Sequence, residues 1–498
     1  MDKKDMQMKG LTVPYINQST VTECGEEFTL PDYYPEIKRV VSTLCRVLPE
    51  SWYDNGDSVE QGGVVAFTVL YLGDDGSLTA APLTTDFSAS VPFPRTGDRS
   101  ESVITADTTA ENVVCRCSGP RRISLRARLR TTVFGNISVS TETDVTDTGK
   151  DRATAAERIS VQTLEDEVTS LRRAVGRLTG SVSGELHEKA GTKPVMCDGE
   201  IAVSEAVCSD GMVKVRGEAV FWSICYGEDG LYYKTVAKAP VEEKLSVTGA
   251  DIADGDAVAW GRCATVSVKE TDEGTLSWDM EYDLECEVGN NVSVKITKDM
   301  YSTMWMGNTV TDECDSLSLL EFCMGRLSVS GNSTRSGSAA VGEYIIGSYG
   351  KTTCERVDRT GTKLTVTGSA DIRVLVCGGG EVTEESVRVP VKYECDCPAG
   401  DMGDVVWRCD MSVTESSAHI EGNKISVTAE VSVSLAAWIR CPTSYVAKLE
   451  LDRTAERNCD GVIRVYYPSE GETAWDITKK YGIPKNAVTE VTGSVLIE

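Results

Sequence analysis

The chain is poor in the residues that carry most enzyme chemistry. Its 498 residues hold only two histidines, His187 and His419, so a histidine-centred triad has little to build on. No C-x-x-C motif occurs among the 18 cysteines. Two C-x-C pairs, Cys115/Cys117 and Cys395/Cys397, put both thiols on one face of a strand, whereas a structural metal site needs four converging ligands. No metal and no cofactor is expected. In a reducing compartment most of these thiols are buried small hydrophobes. Disulfides formed later, in an oxidising assembly, are the other reading.

Long apolar runs are lacking too. The strongest, VVAFTVLYL (Val64 to Leu72), is about half the length that spans a bilayer. The opening MDKKDMQMKGLTVPYINQST has no apolar segment of a secretory signal. The expectation is a protein made and kept inside the cell, without membrane insertion. Positive charge is scarce as well. Lys plus Arg number 50 against 77 Asp plus Glu, a net charge of -27. Such a polyanion repels phosphate backbones and anionic lipid, so nucleic acid is not an expected partner. GSYGKT (347–352) imitates a phosphate loop, but that pattern needs glycine at position 345, where Ile345 stands. No catalytic residues are assigned, and the chain is expected to be non-enzymatic.

What is present is β patterning, and it repeats. At roughly 100–200 residues per domain, the length suits three or four domains. GVVAFTVLYLGDDGSL from Gly63, GEAVFWSICYGEDGLY from Gly217 and GSADIRVLVCGGGEVT from Gly368 align almost without gaps. Each opens on glycine, runs through β-branched and aromatic residues, and reaches a glycine-rich turn, the signal of a hairpin. The spacings, 154 and 151 residues, indicate duplication of whole domains. A second marker follows each hairpin: GPRRISLRARLRTTVF, DEGTLSWDMEYDLECEV and EGNKISVTAEVSVSLAAW. In the last, Ile425, Val427, Ala429, Val431 and Val433 share one face, the pattern of a half-buried antiparallel strand.

The expected fold is therefore mainly β. Three related antiparallel domains, sandwich- or barrel-like, cover 10–140, 155–290 and 297–450, and a small helical unit follows at 460–498. Ser140 to Arg158 reads as the first linker, and the second junction is placed near EVGNNVSVKITKD. Thr163 to Leu178 fits either a short helix or strand and turn. Met304, Trp305 and Met306 are expected in the core. In RRISLRARLRTT, Arg126, Arg128 and Arg130 fall on one strand face. They form either a solvated outer face, or charge protecting an edge, or a docking strip for an acidic partner or an acidic neighbouring copy.

Two stretches carry a family resemblance. Leu30-Pro31-Asp32-Tyr33-Tyr34-Pro35-Glu36-Ile37 resembles the L-P-D-Y-x-P-D-I signature of the SPOCS domain of bacterial spore-coat proteins. Pro31 and Pro35 fix the backbone around an aromatic turn that Asp32 can cap. The tail, VIRVYYPSEGETAWDITKKYGIPKNAVTEVTGSVLIE, resembles a LysM module, a βααβ fold. Thr473 suits an N-cap, Gly482 a helix end and Pro484 the start of a second helix. Ala474, Ile477 and Val488 can fill its core. The family's groove for N-acetylglucosamine polymers maps onto Ser469, Glu470, Gly471, Glu472 and Thr473, with Trp475 as a further candidate. Its second wall is reduced here to Val491-Thr492-Gly493.

Together these features look like coat morphogenetic proteins of the SipL and SpoVID type. The resemblance implies an adaptor in the mother-cell cytoplasm at the forespore surface, binding the polymerising coat-basement ATPase and other coat proteins. Peptidoglycan is the alternative partner, and strand-edge self-association a further expectation.

Overall fold

Period-2 alternation builds strands along most of the chain. In the strand Lys424–Glu456, Ile425, Val427, Ala429, Val431 and Val433 are buried, while Thr428 and Glu430 face outward. A computed structural model describes residues 10–92, 98–147, 153–188, 191–249, 252–271, 275–335, 342–399, 403–457, 464–488 and 495–497. It is mainly β, with several antiparallel sheets.

The first six strands are β1 (Gly10–Thr29), β2 (Ile37–Asp54), β3 (Ser58–Gly73), β4 (Leu78–Pro92), β5 (Asp98–Gly119) and β6 (Arg122–Ser140). They form two sheets, ordered β1-β6-β5 and β2-β3-β4. After β7 (Asp144–Asp147) and helix α1 (Ala155–Ile159) come β8 (Val161–Leu186), β9 (Lys193–Ser209), β10 (Met212–Tyr226), β11 (Tyr232–Ser246), β12 (Thr248–Gly249), β13 (Asp256–Glu270) and β14 (Leu276–Ser302). Their sheets are β12-β8-β14-β13 and β11-β10-β9. Next are β15 (Trp305–Thr334), β16 (Tyr344–Thr360), β17 (Lys363–Gly378), β18 (Glu381–Asp396), β19 (Asp404–Glu421) and β20 (Lys424–Glu456), paired as β15-β20-β19 and β16-β17-β18. One order thus recurs three times. The first main strand of each set pairs with the last, the last with the one before it, and the middle three form a meander.

Each meander packs on its companion sheet. Phe67, Val69 and Tyr71 meet Ile123, Leu125 and Leu129. Phe221 stacks on Trp278 with ring centroids 5.2 Å apart, and Ile372 and Val374 share a core with Val427 and Val431. At one margin β2 lies beside β5, β9 beside β13 and β16 beside β19; at the other β1 lies beside β4, β8 beside β11 and β15 beside β18. Each pair of sheets is thus a sandwich nearly closed into a flattened barrel.

The repeated glycine has a steric cause. At Gly63, Gly217 and Gly368 a Cβ would overlap the carbonyl oxygens of Leu48, Ala202 and Thr353 on the neighbouring strand. Pairing register also shifts next to each contact, as at a β-bulge. The third hairpin turns on Gly379 and Gly380, both at positive φ (62° and 80°), the two-residue turn whose twist matches that of strands.

The three meanders also share a core on their outer faces. Leu70, Ile224 and Leu375 occupy the same repeat position, are fully buried, and belong to one cluster. Around it the contacts are cyclic. Leu78 N–H donates to Tyr232 Oη (3.0 Å), Tyr232 N–H to Tyr344 Oη (3.1 Å), and Arg39 to the Val382 carbonyl (2.6 Å).

Past the sandwiches, β8 with β14 and β15 with β20 continue as two-stranded ribbons, packed together through Val294, Ile296 and Tyr445. Thr163–Leu178, open between helix and strand in the sequence, lies within β8. The stretch expected as the second junction lies inside β14, which pairs with β8 along its whole length. The first linker is partly ordered: β7 adds to β20 in parallel, and Thr154 caps α1 in a capping box with Glu157.

Candidate functional site

The LPDYYPEI stretch forms the corner between β1 and β2, where the chain passes from one sheet to the other. Leu30 is buried, its N–H bonded to the Arg121 carbonyl (2.8 Å). Tyr34 N–H closes the turn onto the Pro31 carbonyl (3.1 Å). Arg121 then clamps the corner, donating to the carbonyls of Pro31 (3.1 Å) and Tyr34 (2.9 Å). Tyr71 Oη donates to the Pro35 carbonyl (3.2 Å). Asp32, expected as a side-chain cap, points into solvent and among the described residues reaches only Arg121, at 3.9 Å; the backbone bond already closes the turn. Tyr33 is 80% exposed, with its ring 4.7 Å from that of Tyr34. Most of the signature is scaffold, and Tyr33 is what the scaffold displays.

Arg126, Arg128 and Arg130 lie on the outer face of β6, and Ile123, Leu125, Ala127 and Leu129 are buried beneath it. β6 is the central strand of its sheet, so these charges do not guard an edge. Glu111 on β5 pairs with Arg128 (3.1 Å) and Arg130 (2.5 Å). Arg126 is exposed and makes no ion pair among the described residues. The strip is thus partly neutralised within its own sheet. Met304 and Met306, expected in the core, are 43% and 50% exposed. They sit at the reversal between β14 and β15, where only Trp305 turns inward, against Val446 and Leu449.

The tail comprises β21 (Arg464–Tyr466), α2 (Ala474–Tyr481), a single 3-10 turn (Lys485–Ala487) and β22 (Val495–Ile497). Thr473 caps α2 in a capping box with Asp476, and Gly482 ends it in the left-handed conformation. Ile477, Ile483 and Val488 form its core, with Ala474 packed alongside. Among the described residues, Pro484 is followed by this 3-10 turn and not by a full helix. Of the groove candidates, Ser469, Glu470, Gly471 and Thr473 are exposed. Glu472 is turned back, accepting from Tyr466 Oη (2.7 Å) and Ser469 N–H (2.9 Å). Residues 491–493, the expected second wall, lie outside the described residues. Trp475 faces the body. Its Nε1 donates to Asp299 of β14 (2.8 Å), and its ring meets Tyr301 edge-on at 5.0 Å. Lys479 pairs with the same carboxylate (2.6 Å), Tyr301 Oη donates to the Ile483 carbonyl (2.7 Å), and Arg457 to the Lys479 carbonyl (2.9 Å). Trp475 is an intramolecular anchor.

The most charged interior space lies where the three sandwiches meet. A cavity of about 240 Å³ touches all three, and an adjoining one of about 420 Å³ shares Asp107, Arg262 and Asp410 with it. By strand register, Arg46, Glu200 and Lys351 stand at one repeat position, opposite Ala66, Val220 and Asp371. Most of the charges are paired across sandwich boundaries. Arg46 pairs with Asp198 and donates to the Gly199 carbonyl (3.0 Å). Arg262 pairs with Asp107 (2.5 Å). Arg408 pairs with Glu285, and its guanidinium lies 3.8 Å from the centre of the Trp260 ring. Burial alone would raise Glu285 and Asp107, but facing guanidiniums hold both carboxyls below their usual range.

Glu200 and Asp410 differ. The Glu200 side chain makes no hydrogen bond or ion pair among the described residues, whereas Asp410 accepts from the Met411 backbone N–H, and desolvation raises both pKa values. Burial likewise lowers Lys234, to about 8. Sequence reading did not single out this cluster. The available signal was a charged residue at one position in all three repeats. The arrangement is suited to holding three sandwiches in one register, because a lone member would leave its charges without partners. Among the described residues no set of three or more His, Cys, Asp or Glu side chains is grouped to hold a metal ion, and no helix is long and apolar enough to cross a membrane. Compared with known proteins, the chain matches no family model, no curated protein and no solved structure.

Proposed function

We propose that the chain is a non-enzymatic structural adaptor in endospore coat assembly. In this reading the three recurring strand sets are related domains, the first SPOCS-like, and the tail is a short LysM-like module. The observation that carries the reading is the displayed Tyr33, on a corner whose other residues are held by Arg121. An exposed aromatic on a rigid support is a frequent anchor of protein interfaces. The exposed Arg126 of β6 lies on the same sandwich and offers charge to an acidic surface. The partner in this reading is the polymerising ATPase of the coat basement, and the place is the mother-cell face of the forespore.

The test is affinity purification from sporulating cells with full-length protein, comparing the parent with Tyr33→Ala and with Arg126→Glu. Retention of the ATPase is expected to fall for both variants while their melting temperatures stay at the parent value. Unchanged retention in both overturns the proposed docking face.

A second reading, peptidoglycan binding, is favoured by Tyr467. It is 74% exposed beside Ser469 and Glu470 and offers a face for stacking on a sugar. Retention of the full chain on purified peptidoglycan, lost in Tyr467→Ala, would support it.

A further inference from the structure

Third-sandwich cysteines face each other in pairs, at both margins where its sheets meet. Along one margin β16 and β19 run antiparallel. Ser348 Oγ donates to Ser416 Oγ at 2.9 Å, Gly350 stands against Val413, and Thr352 Oγ1 donates to the Met411 carbonyl. Two residues further along each strand, this register sets Cys354 opposite Cys409. Along the other margin β15 and β18 run antiparallel. Gly331 stands against Val389, Gly325 against the Tyr393 hydroxyl, and Cys323 Sγ lies 3.2 Å from that same hydroxyl. One step on, Cys323 faces Cys395. All four thiols are half-buried against the core of this sandwich, and within each pair the two thiols perturb one another directly.

We propose that Cys323–Cys395 and Cys354–Cys409 are disulfide-forming sites that cross-link the two sheets of the third sandwich when the protein meets a peroxide. The inference does not depend on the proposed function. The step balances simply. A thiolate of the pair attacks one oxygen of hydrogen peroxide and breaks the O–O bond, giving a sulfenic acid and a hydroxide that becomes water by taking up the proton the thiol had released. The partner thiol attacks that sulfur and releases a second water. Two thiols are oxidised to one disulfide, and one peroxide is reduced to two waters.

The chemistry within each pair is asymmetric in the useful direction. The facing Cys395 thiol holds Cys323 below its ordinary value, and the Cys409 thiol does the same for Cys354. The partners, Cys395 and Cys409, are correspondingly raised. The other sandwiches supply a comparison within the molecule. At the matching margin of the second, Cys197 Sγ points to the Val266 carbonyl at 3.8 Å. In the first, Cys115 is hydrogen-bonded to Thr43. Neither has a cysteine directly opposite.

The Cys323–Cys395 bridge would tie β15 to β18, and the Cys354–Cys409 bridge would tie β19 to β16. The latter would thereby restrain Arg408 and Asp410, which β19 contributes to the central cavity. The sites would become a covalent lock on one third of the sandwich assembly.

The experiment treats reduced full-length protein with a small excess of hydrogen peroxide. The sample is then alkylated under denaturing conditions and its peptides mapped by mass. The expected result is loss of four of the 18 thiols, as the two named bridges. Hydrogen exchange is expected to slow in β15, β16, β18 and β19, with the first sandwich unchanged. Cys395→Ser should retain only the Cys354–Cys409 bridge, and Cys409→Ser only Cys323–Cys395. Retention of all thiols, bridges between other cysteines, or oxidation that stops at sulfinic acid overturns the proposal. The mapping on the parent chain decides it even where a variant folds poorly.

Discussion

Glu200 stands where the first repeat has Arg46 and the third has Lys351. The backbone position is shared, and the charge is not. Burial in the cavity raises its pKa above the ordinary carboxylate value, and Arg46 only partly opposes this. The folded state therefore holds a proton that the unfolded chain has released. Below the unfolded value, about 4.3, both states are protonated and no penalty arises. As pH rises toward the raised folded value, ionisation progressively costs stability, and above it the full penalty remains. Glu200→Gln removes the ionisable group and keeps the shape. Its melting temperature is expected to exceed the parent's at pH 7 and to match it near pH 4. Calorimetry across that range checks this, and a variant less stable than the parent at pH 7 would contradict the sign.

At the level of elements, legibility in the sequence followed the range of the interaction. The hairpin turns, the alternating strand of the third repeat and the cap of α2 rest on contacts a few residues apart, and they are readable from the chain. Thr163–Leu178 was ambiguous because what makes it a strand is pairing with β14 more than a hundred residues later. The Met304–Met306 segment misled for a related reason: an apolar cluster at a strand reversal has no core to enter on its outer side. Asp299 had no local signal at all. It collects Trp475 Nε1 and Lys479 Nζ from an element more than 170 residues further along the chain. Asp299→Ala is expected to release the tail while the sandwiches keep their melting transition. Hydrogen exchange in α2 should accelerate at least tenfold, a loss of about 1.4 kcal/mol of local protection. Unchanged exchange would mean that Tyr301 and Arg457 hold the tail without it.

For the whole molecule, the central question is whether three sandwiches behave as one cooperative body. Leu70, Ile224 and Leu375 close a common core, and charged residues from all three surround the neighbouring cavity. Truncating one of these apolar residues leaves a void at an interface shared by three units. Leu375→Ala is expected to cost about 2–5 kcal/mol. Its effect should reach the first and second sandwiches, read as faster exchange in β3 and β10. Acceleration confined to β16–β18 would show that the sandwiches unfold independently.

The amino-acid order by itself determined the strand periodicity, the threefold repeat and the places where the chain turns. Each is written in neighbouring residues: alternation that hides one face, and turns that only glycine accommodates readily. It also marked Gly63, Gly217 and Gly368 as equivalent without stating why. Only the tertiary structure supplied the reason, a carbonyl from the adjacent strand in the space a side chain would need. The same holds for the cavity charges, the Trp475 anchor and the facing thiols. Their partners lie on strands far apart in sequence, and nothing local records which distant residue will stand opposite. That information exists only once the sheets are paired and packed.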